Sequence, residues 1–293
     1  MGLLLIASCH PAQQAPQSSA QYEDSVRAWQ RHRDAGLRSP DGWLTLAGLF
    51  WLKPGDNTIG SAATNKFVLP QGAAPASVGR LHLEGGTITF FNQGGRAVTV
   101  NGHNAGAPVT LSYDEDKPDV VEAGKLSFYI IKRVDQFAVR VKDKDSPVLR
   151  SFAGMTFYPI NPAFHFANAR LLNEPKKIPI LNITGQTELQ DSPGVVEFRY
   201  EGRTCHLRPI YEGKTLYFLF KDPTNKIDTY QAGRMLNTPL PVNGLVDLDF
   251  NRAYNPPCTF TPYATCPLPP KENDLSFAVT AGEKRYHNGR PES

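Results

Sequence analysis

The run Arg80-Leu-His-Leu-Glu-Gly-Gly-Thr-Ile-Thr-Phe-Phe-Asn92 carries the clearest fold signal, because it places two short apolar segments on either side of the turn pair Gly85-Gly86. Such a pattern is typical of an antiparallel β-hairpin. Similar segments recur at intervals of roughly 8 to 12 residues, with Gly94-Gly95 and Asn101-Gly102 between them. This spacing predicts a protein built from short antiparallel strands.

Segments of this kind fill residues 41–150, which we predict as one β domain. A less periodic, Pro-containing stretch follows, and then a second series of strand-like segments predicts another β domain over residues 151–287. The expected fold is therefore mostly β, with two antiparallel sandwich or barrel-like domains. Residues 288–293 are expected to form a tail.

The segment 22–40 has a different pattern, because Tyr22, Val26 and Trp29 recur at helical spacing and Gly36 stands where a helix would stop. We predict one amphipathic helix there, in front of the two β domains. It is the one long helix that we expect.

The composition agrees with many short elements. Gly and Pro together make 49 of 293 residues, about 17%, against a usual share of about 12%. Hydrophobic residues are 40% of the chain, enough for sizeable cores. The 31 Lys and Arg against 28 Asp and Glu leave a net charge of only +3, too small and too diffuse for a phosphate-binding surface. We therefore expect no nucleic-acid partner.

The N-terminal residues 1–21 predict where in the cell the protein is located. Ile6-Ala7-Ser8-Cys9 resembles the lipobox of bacterial lipoproteins, in which the Cys becomes the lipidated first residue, although no Lys or Arg precedes Cys9. The residues that follow Cys9 lack aromatic and β-branched side chains, so they predict a flexible tether. We expect a lipid-anchored protein of the bacterial cell envelope, on the periplasmic or outer-membrane side. The alternative is a truncated or disordered terminus on a soluble protein.

Near the C-terminus, the run Asp247-Leu-Asp-Phe-Asn-Arg-Ala-Tyr-Asn-Pro-Pro-Cys258 continues through Cys266-Pro-Leu-Pro-Pro270 to Ala281-Gly-Glu283. This run resembles the C-terminal signature of the DUF1684 family of bacterial and archaeal proteins. Gly42-Trp-Leu-Thr-Leu46 and Phe152-Ala-Gly154 extend the resemblance toward the N-terminus. The resemblance implies that this chain is related to the family, whose name records that no function has been assigned to it.

The first β domain is similar in its strand spacing to forkhead-associated (FHA) domains, which bind phosphothreonine through sandwich loops. Gly60-Ser61, Ser77-Val78-Gly79-Arg80 and Asn101-Gly102 take the places of the FHA motifs. Where FHA domains have the Arg that binds phosphate, this chain has Ser61, and where they have the motif His, it has Arg80. Because the strongest charge-assisted contact to a phosphate is missing, the resemblance implies an FHA-like fold without phosphopeptide binding.

Asp247 and Asp249 are two apart on a predicted strand, so their side chains point to the same face. Adjacent carboxylates can divide acid and base roles or hold a cation. The structural interpretation is that Asp and Asn side chains satisfy backbone groups in this Pro-rich loop. Both interpretations stay open at this point.

If a site exists, we expect it in the C-terminal domain. Arg234 can present its guanidinium to a carboxylate or phosphate, and Asp249 can orient it or act as a base. The catalytic candidates are Asp249, Asn251, Arg234 and Tyr254, and the ligand-binding candidates are Tyr230, Arg234 and Asn255.

Cys258 and Cys266 are separated by seven residues in a Pro-rich loop. In an exported compartment such a pair predicts a disulfide. Two unpaired thiols and a metal site are the alternatives, although structural zinc prefers closer Cys pairs and needs two further ligands. We assign no metal.

No motif for an α/β-hydrolase nucleophile, a phosphate-binding loop or a dinucleotide fold occurs, so no cofactor is predicted. We expect a cell-envelope lipoprotein that binds an unidentified small molecule or protein and touches the membrane only through its lipid anchor. The alternative is a hydrolase-type enzyme that uses Asp249, Asn251 and Arg234.

Overall fold

The computed structural model describes residues 19–286 and is mostly β, with one long N-terminal helix. The predicted lipidation site Cys9, nearly all of the predicted tether and the tail 288–293 lie outside the described residues. Neither α-helix within residues 19–286 has the length and apolar character of a membrane-spanning segment.

Helix α1 spans Ser19–Leu37, so it begins and ends three residues before the predicted segment 22–40. Tyr22 and Val26 lie one turn apart and are buried against the C-terminal domain. The helix ends before Pro40, which has no N–H to continue the hydrogen-bond ladder. The only other α-helix of the described chain, α2, is the short Pro147–Ser151.

The N-terminal domain contains two sheets. One has the strand order β1-β11-β10-β9-β6-β7 and the other β3-β2-β4-β5-β8, with a single parallel pair, β2–β3. The strands are β1 (Leu46–Trp51), β2 (Gly55–Gly60), β3 (Phe67–Val68), β4 (Gly79–Glu84), β5 (Thr87–Asn92), β6 (Val98–Val100), β7 (His103–Asn104), β8 (Val109–Thr110), β9 (Val121–Ala123), β10 (Leu126–Arg133) and β11 (Gln136–Asp143).

The predicted hairpin is confirmed as β4 and β5. Gly85 and Gly86 both have positive φ, 54° and 83°, as a two-residue hairpin turn requires. Leu81 from this sheet and Phe128 from the other are fully buried in the same core. The two sheets therefore pack face to face as a sandwich.

The C-terminal domain also pairs two sheets, with the orders β14-β13-β12-β18 and β15-β16-β17. Val196 of the first sheet and Phe218 of the second lie in one buried cluster. The strands are β12 (His165–Leu181), β13 (Thr187–Tyr200), β14 (Arg203–Leu207), β15 (Ile210–Glu212), β16 (Thr215–Phe220), β17 (Arg234–Pro239) and β18 (Leu245–Asp249).

Short 3-10 helices punctuate both domains, at Trp43–Thr45, Gly95–Ala97, Pro162–Phe164, Pro223–Lys226, Phe250–Arg252, Pro257–Thr259 and Lys271–Asn273. None of the sheets in residues 19–286 closes into a barrel. Of the two predicted architectures, the open sandwich is therefore the one observed.

Strand β12 corrects the sequence analysis, which placed no strand in most of this region. Pro175 interrupts its polar sequence, but the register against β13 shifts between Asn173 and Lys176, so this proline lies outside the regular ladder. Opposite the shift, Gly194 has a φ of 151°, and a Cβ there would lie 2.0 Å from the Leu172 carbonyl oxygen. Only glycine fits this close approach of two backbones.

Candidate functional site

Asp249, the predicted catalytic carboxylate, contacts helix α1. At the end of β18 its Oδ1 accepts the Asn251 N–H at 3.0 Å and thereby caps the 3-10 helix that follows. The Tyr22 hydroxyl donates to the same oxygen at 2.9 Å, and Arg252 Nε donates to Oδ2 at 3.2 Å. Asp249 is buried, so protein groups already occupy both of its oxygens.

Asn251 and Arg252 extend this contact with the helix. Asn251 Nδ2 donates to the Tyr22 hydroxyl oxygen at 2.8 Å, and Arg252 Nη2 donates to Ser25 Oγ at 3.0 Å. Burial, together with the Asp249 carboxylate, raises the pKa of Tyr22 well above its ordinary value. The Tyr22 hydroxyl therefore keeps its proton and remains a donor at neutral pH.

A second contact lies three turns further along α1. Arg33 Nε donates to Glu283 Oε1 at 2.8 Å, and Glu283 Oε2 accepts the Asn255 N–H at 2.7 Å. The Arg33 guanidinium also donates to the Asn255 carbonyl at 3.0 Å and lies 4.8 Å from the centre of the Tyr254 ring. We call the residues of the two contacts together the helix-docking cluster: Tyr22, Ser25, Arg33, Asp249, Asn251, Arg252, Tyr254, Asn255 and Glu283.

Arg234 belongs to a different cluster. It is fully buried, and its Nη2 donates to Asp222 Oδ2 at 2.9 Å and to the Val279 carbonyl at 2.8 Å, while Nη1 donates to the Ala281 carbonyl. This arrangement corrects the expectation that Asp249 orients Arg234. The partner is Asp222 because its carboxylate, equally buried, lies beside the start of β17 and balances the guanidinium charge.

Tyr230 and Arg234, two of the predicted ligand-binding residues, line a small pocket together with Cys258 and Cys266. The third predicted ligand-binding residue, Asn255, does not line it. The pocket is small, with a volume of about 10 Å³ that leaves room for about one water molecule. Its other walls are mainly apolar: Ile183, Leu219, Ala232, Gly233, Met235, Pro256, Pro267, Leu268 and Pro269.

Apart from the thiols, the polar side chains that line this pocket are already engaged by other protein groups. Burial raises the pKa of Tyr230 to about 12, and its hydroxyl donates to the Cys258 carbonyl at 3.4 Å. The Arg234 guanidinium is engaged with Asp222 and backbone carbonyls. Among the groups that line the pocket, the two thiols are therefore the ones left with reactive chemistry.

Cys258 and Cys266 are free thiols in the structure, and the Cys258 N–H donates to Cys266 Sγ at 3.2 Å. The hydrogen bond from Cys266 lowers the pKa of Cys258, and the positive charge of Arg140 contributes. The predicted disulfide stays a prediction. Within residues 19–286 no three His, Cys, Asp or Glu side chains converge as metal ligands.

His165 and Asp247 form a polar pair that the sequence analysis did not assign. His165 Nε2 lies 2.5 Å from Asp247 Oδ1, and its ring stacks on Tyr22 with centroids 4.8 Å apart. The hydrogen bond raises the pKa of His165 and lowers the pKa of Asp247. Asp247 thus pairs with His165 while Asp249 pairs with the helix, so the two carboxylates do not act together.

Three further residues of these clusters were not predicted from the sequence: Arg33, Asp222 and Glu283. Asp222 precedes Pro223 and caps the 3-10 helix that follows, a local pattern that sequence can suggest. Arg33 and Glu283 are 250 residues apart, and nothing in the spacing of either one predicts their contact.

The turn between β17 and β18 exposes a group of apolar side chains. Val242 and Leu245 exchange two backbone hydrogen bonds at 3.0 Å and so lie opposite each other, and Leu240 lies two residues before Val242 in the chain. Val242 is 70% exposed, and the other two are about 40% exposed. We call these three residues the apolar tip.

Comparisons with known proteins place part of the chain in a family. Residues 150–284 match the family model described as a protein of unknown function, DUF1684. The solution NMR structure of an uncharacterised protein from Haloarcula marismortui is 30% identical, with a TM-score of 0.38, and the match covers 47% of this chain and 80% of that one.

Two FHA structures also match. The FhaA FHA domain, complexed with the intracellular domain of Rv3910, and a chain from an analysis of phosphothreonine-dependent FHA interactions are each 17% identical, with TM-scores of 0.23. Each match covers 32% of this chain and 97% or 92% of the other. Structural similarity at these TM-scores gives no information about ligands of this chain. A search of curated proteins found no match.

Proposed function

This chain belongs to the DUF1684 family over residues 150–284, and we propose that it is a cell-envelope lipoprotein of that family whose role is binding. The hydrolase alternative needs an available base at Asp249. Both oxygens of that carboxylate already accept hydrogen bonds from Tyr22, Asn251 and Arg252. A buried carboxylate with these partners has a structural role, because it holds helix α1 against the C-terminal domain.

The apolar tip is the observation that carries the binding role. The twelve residues 235–246 contain no charged side chain, yet Leu240, Val242 and Leu245 face solvent at the turn. Large exposed apolar side chains close together in one turn are typical of protein interaction sites. The partner that we propose is a protein with a complementary apolar surface.

With a lipid on Cys9, the helix-docking cluster determines how the anchor is positioned relative to the C-terminal domain. Nine residues separate Cys9 from Ser19, a length that spans at most about 35 Å. Helix α1 is fastened to Asp249 at the end of β18, and the apolar tip stands at the start of the same five-residue strand. A lipid on Cys9 would thus hold the binding surface near the membrane.

Photo-crosslinking in intact cells tests the binding role. A photoreactive residue at Val242 is expected to give one discrete protein adduct, which a Leu240→Asp substitution in the same chain abolishes. The control carries the photoreactive residue at Thr87, the exposed first residue of β5 in the N-terminal domain. Equal adducts from both positions, or an adduct that Leu240→Asp leaves unchanged, would contradict a binding surface at the apolar tip.

A further inference from the structure

Cys258 and Cys266 meet where the two domains touch. Cys258 lies in the 3-10 helix Pro257–Thr259, and Cys266 lies at the far end of the loop that follows. Thr265, next to Cys266, accepts hydrogen bonds from Arg133 and Arg140 of the N-terminal domain at 3.0 and 3.3 Å. The loop is therefore held against a second domain, which keeps the two thiols in place.

The two thiols differ in access and in charge. Cys258 is half-buried, whereas Cys266 is 5% exposed. The pKa of Cys258 is lowered by its hydrogen bond with Cys266 and by Arg140, while the same hydrogen bond and burial raise the pKa of Cys266 well above its ordinary value. A thiolate attacks disulfides, and a neighbouring thiol can then resolve the mixed disulfide.

Arg140 contributes its charge from an unusual position. It lies on β11, is 3% exposed, and its Nε has no hydrogen-bond partner among the described residues. Burial lowers the pKa of Arg140, and its hydrogen-bond partners are the neutral hydroxyls of Thr265 and Tyr129. A buried cation with no carboxylate hydrogen-bonded to it favours a negative charge nearby, and its charge acts to lower the pKa of both thiols. Only at Cys258 is the net effect of all neighbours a lowered pKa.

We propose that Cys258 and Cys266 form a thiol–disulfide exchange site whose substrates are disulfides, with Cys258 as the attacking thiol and Cys266 as the resolving thiol. In the first step Cys258 Sγ bonds to one sulfur of the substrate, the substrate S–S bond breaks, and one thiolate leaves and takes up the proton that Cys258 has lost. In the second step Cys266 Sγ attacks Cys258 Sγ, and the mixed disulfide bond between Cys258 and the substrate breaks. The second substrate sulfur leaves as a thiol that carries the proton lost by Cys266. The protein pair loses two electrons and the substrate gains them.

Cys205 is the internal control. It is half-buried on β14, and its thiol lies 3.9 Å from the Arg203 carbonyl oxygen. Burial raises the pKa of Cys205 and outweighs the stabilisation of its thiolate by the Tyr200 backbone and the Arg203 charge. Cys205 is therefore expected to react with a disulfide about tenfold more slowly than Cys258 near neutral pH.

The test uses the purified full chain, reduced and then exposed to mixtures of reduced and oxidised glutathione. Acid-quenched samples are read by mass spectrometry. We expect wild type and Cys205→Ser to form a Cys258–Cys266 disulfide that reduced glutathione opens again. Cys266→Ser is expected to trap glutathione on Cys258, and Cys258→Ser is expected to leave Cys266 unmodified.

Three results would overturn the proposal. The first is equal trapping on Cys205 and Cys258 in the Cys266→Ser variant. The second is a dithiol that oxidised glutathione does not oxidise. The third is a disulfide that reduced glutathione never opens, which would identify a purely structural bond.

The pH dependence of alkylation separates the charge effect from simple exposure. In wild type, the rate at Cys258 should reach its plateau at a lower pH than the rate at Cys205. Arg140→Met should move the Cys258 profile to higher pH and leave the Cys205 profile in place. If that variant does not fold, the two wild-type profiles decide the question, and coincident profiles contradict the assignment of Cys258 as the attacking thiol.

Discussion

Substituting Glu283→Gln should release the C-terminal half of helix α1 from the C-terminal domain. Glu283 is fully buried and uses one oxygen for Arg33 and the other for the Asn255 N–H. Glutamine keeps one acceptor oxygen but turns an NH2 group toward one of these two donors. The substitution therefore removes a negative charge and places two donors face to face.

The size of the effect follows from the geometry. Removing one partner of a buried ion pair costs about 3–5 kcal/mol. Arg33 keeps 17% side-chain exposure and its bond to the Asn255 carbonyl, so we expect the lower value of about 2–3 kcal/mol. If local opening of α1 carries this cost, amide exchange in the helix accelerates about 30- to 150-fold.

Hydrogen–deuterium exchange resolved by peptide measures this directly. Glu23→Gln is the matched control on the same helix, because Glu23 forms only an exposed pair with Arg27 at 3.5 Å. Loss of this exposed pair is expected to cost less than about 0.5 kcal/mol, which accelerates exchange by no more than about twofold. The reasoning is refuted if Glu283→Gln and Glu23→Gln have the same effect on α1, or if Glu283→Gln accelerates exchange in β12 and β13 as much as in the helix.

Three further outcomes are expected. Tyr22→Phe, which keeps the ring on His165 and removes the hydroxyl, should lower the free energy of unfolding by about 1–2 kcal/mol in a denaturant titration; an unchanged midpoint would contradict the contact with Asp249. Asp222→Asn should cost about 3–5 kcal/mol, because it leaves Arg234 buried without a carboxylate, and a fully stable variant would show that the pair is dispensable. The hydrogen bond with Asp247 raises the pKa of His165, so the pair stabilises the folded state. That contribution is fully present below the pKa of an unfolded His, about 6.5, and is lost as the pH rises through the raised pKa of folded His165. Melting temperatures taken against pH should show this decline in wild type and lose it in His165→Gln.

The strands were readable from the sequence where local chemistry determines them. The hairpin around Gly85-Gly86, with its strands Gly79–Glu84 and Thr87–Asn92, appears where the turn residues and apolar runs predict it. Strand β12 was missed because its sequence is polar and contains proline, and long-range pairing with β13 and β18 holds it in place. Local propensity carries no information about such pairing.

The candidate site was predicted only in part. Asp249 and Asn251 do lie together, because they are two residues apart at the end of one strand. The partners of Asp249 and Arg234 come from elsewhere: Tyr22 is 227 residues from Asp249, and Asp222 precedes the strand that begins with Arg234. Buried polar groups require partners, but the sequence does not say which distant residue supplies them.

The most direct test of the proposed function is the fate of Cys9 in bacterial membranes. Membranes from cells that express the full chain, or its Cys9→Ser variant, are washed with high salt, and the retained protein and its N-terminal peptide are measured. We predict that wild type stays in the membranes with an acylated Cys9 as its first residue, and that Cys9→Ser is washed off while still folded. Equal release of both proteins, or an unmodified Cys9 in membrane-bound wild type, would contradict a lipid anchor.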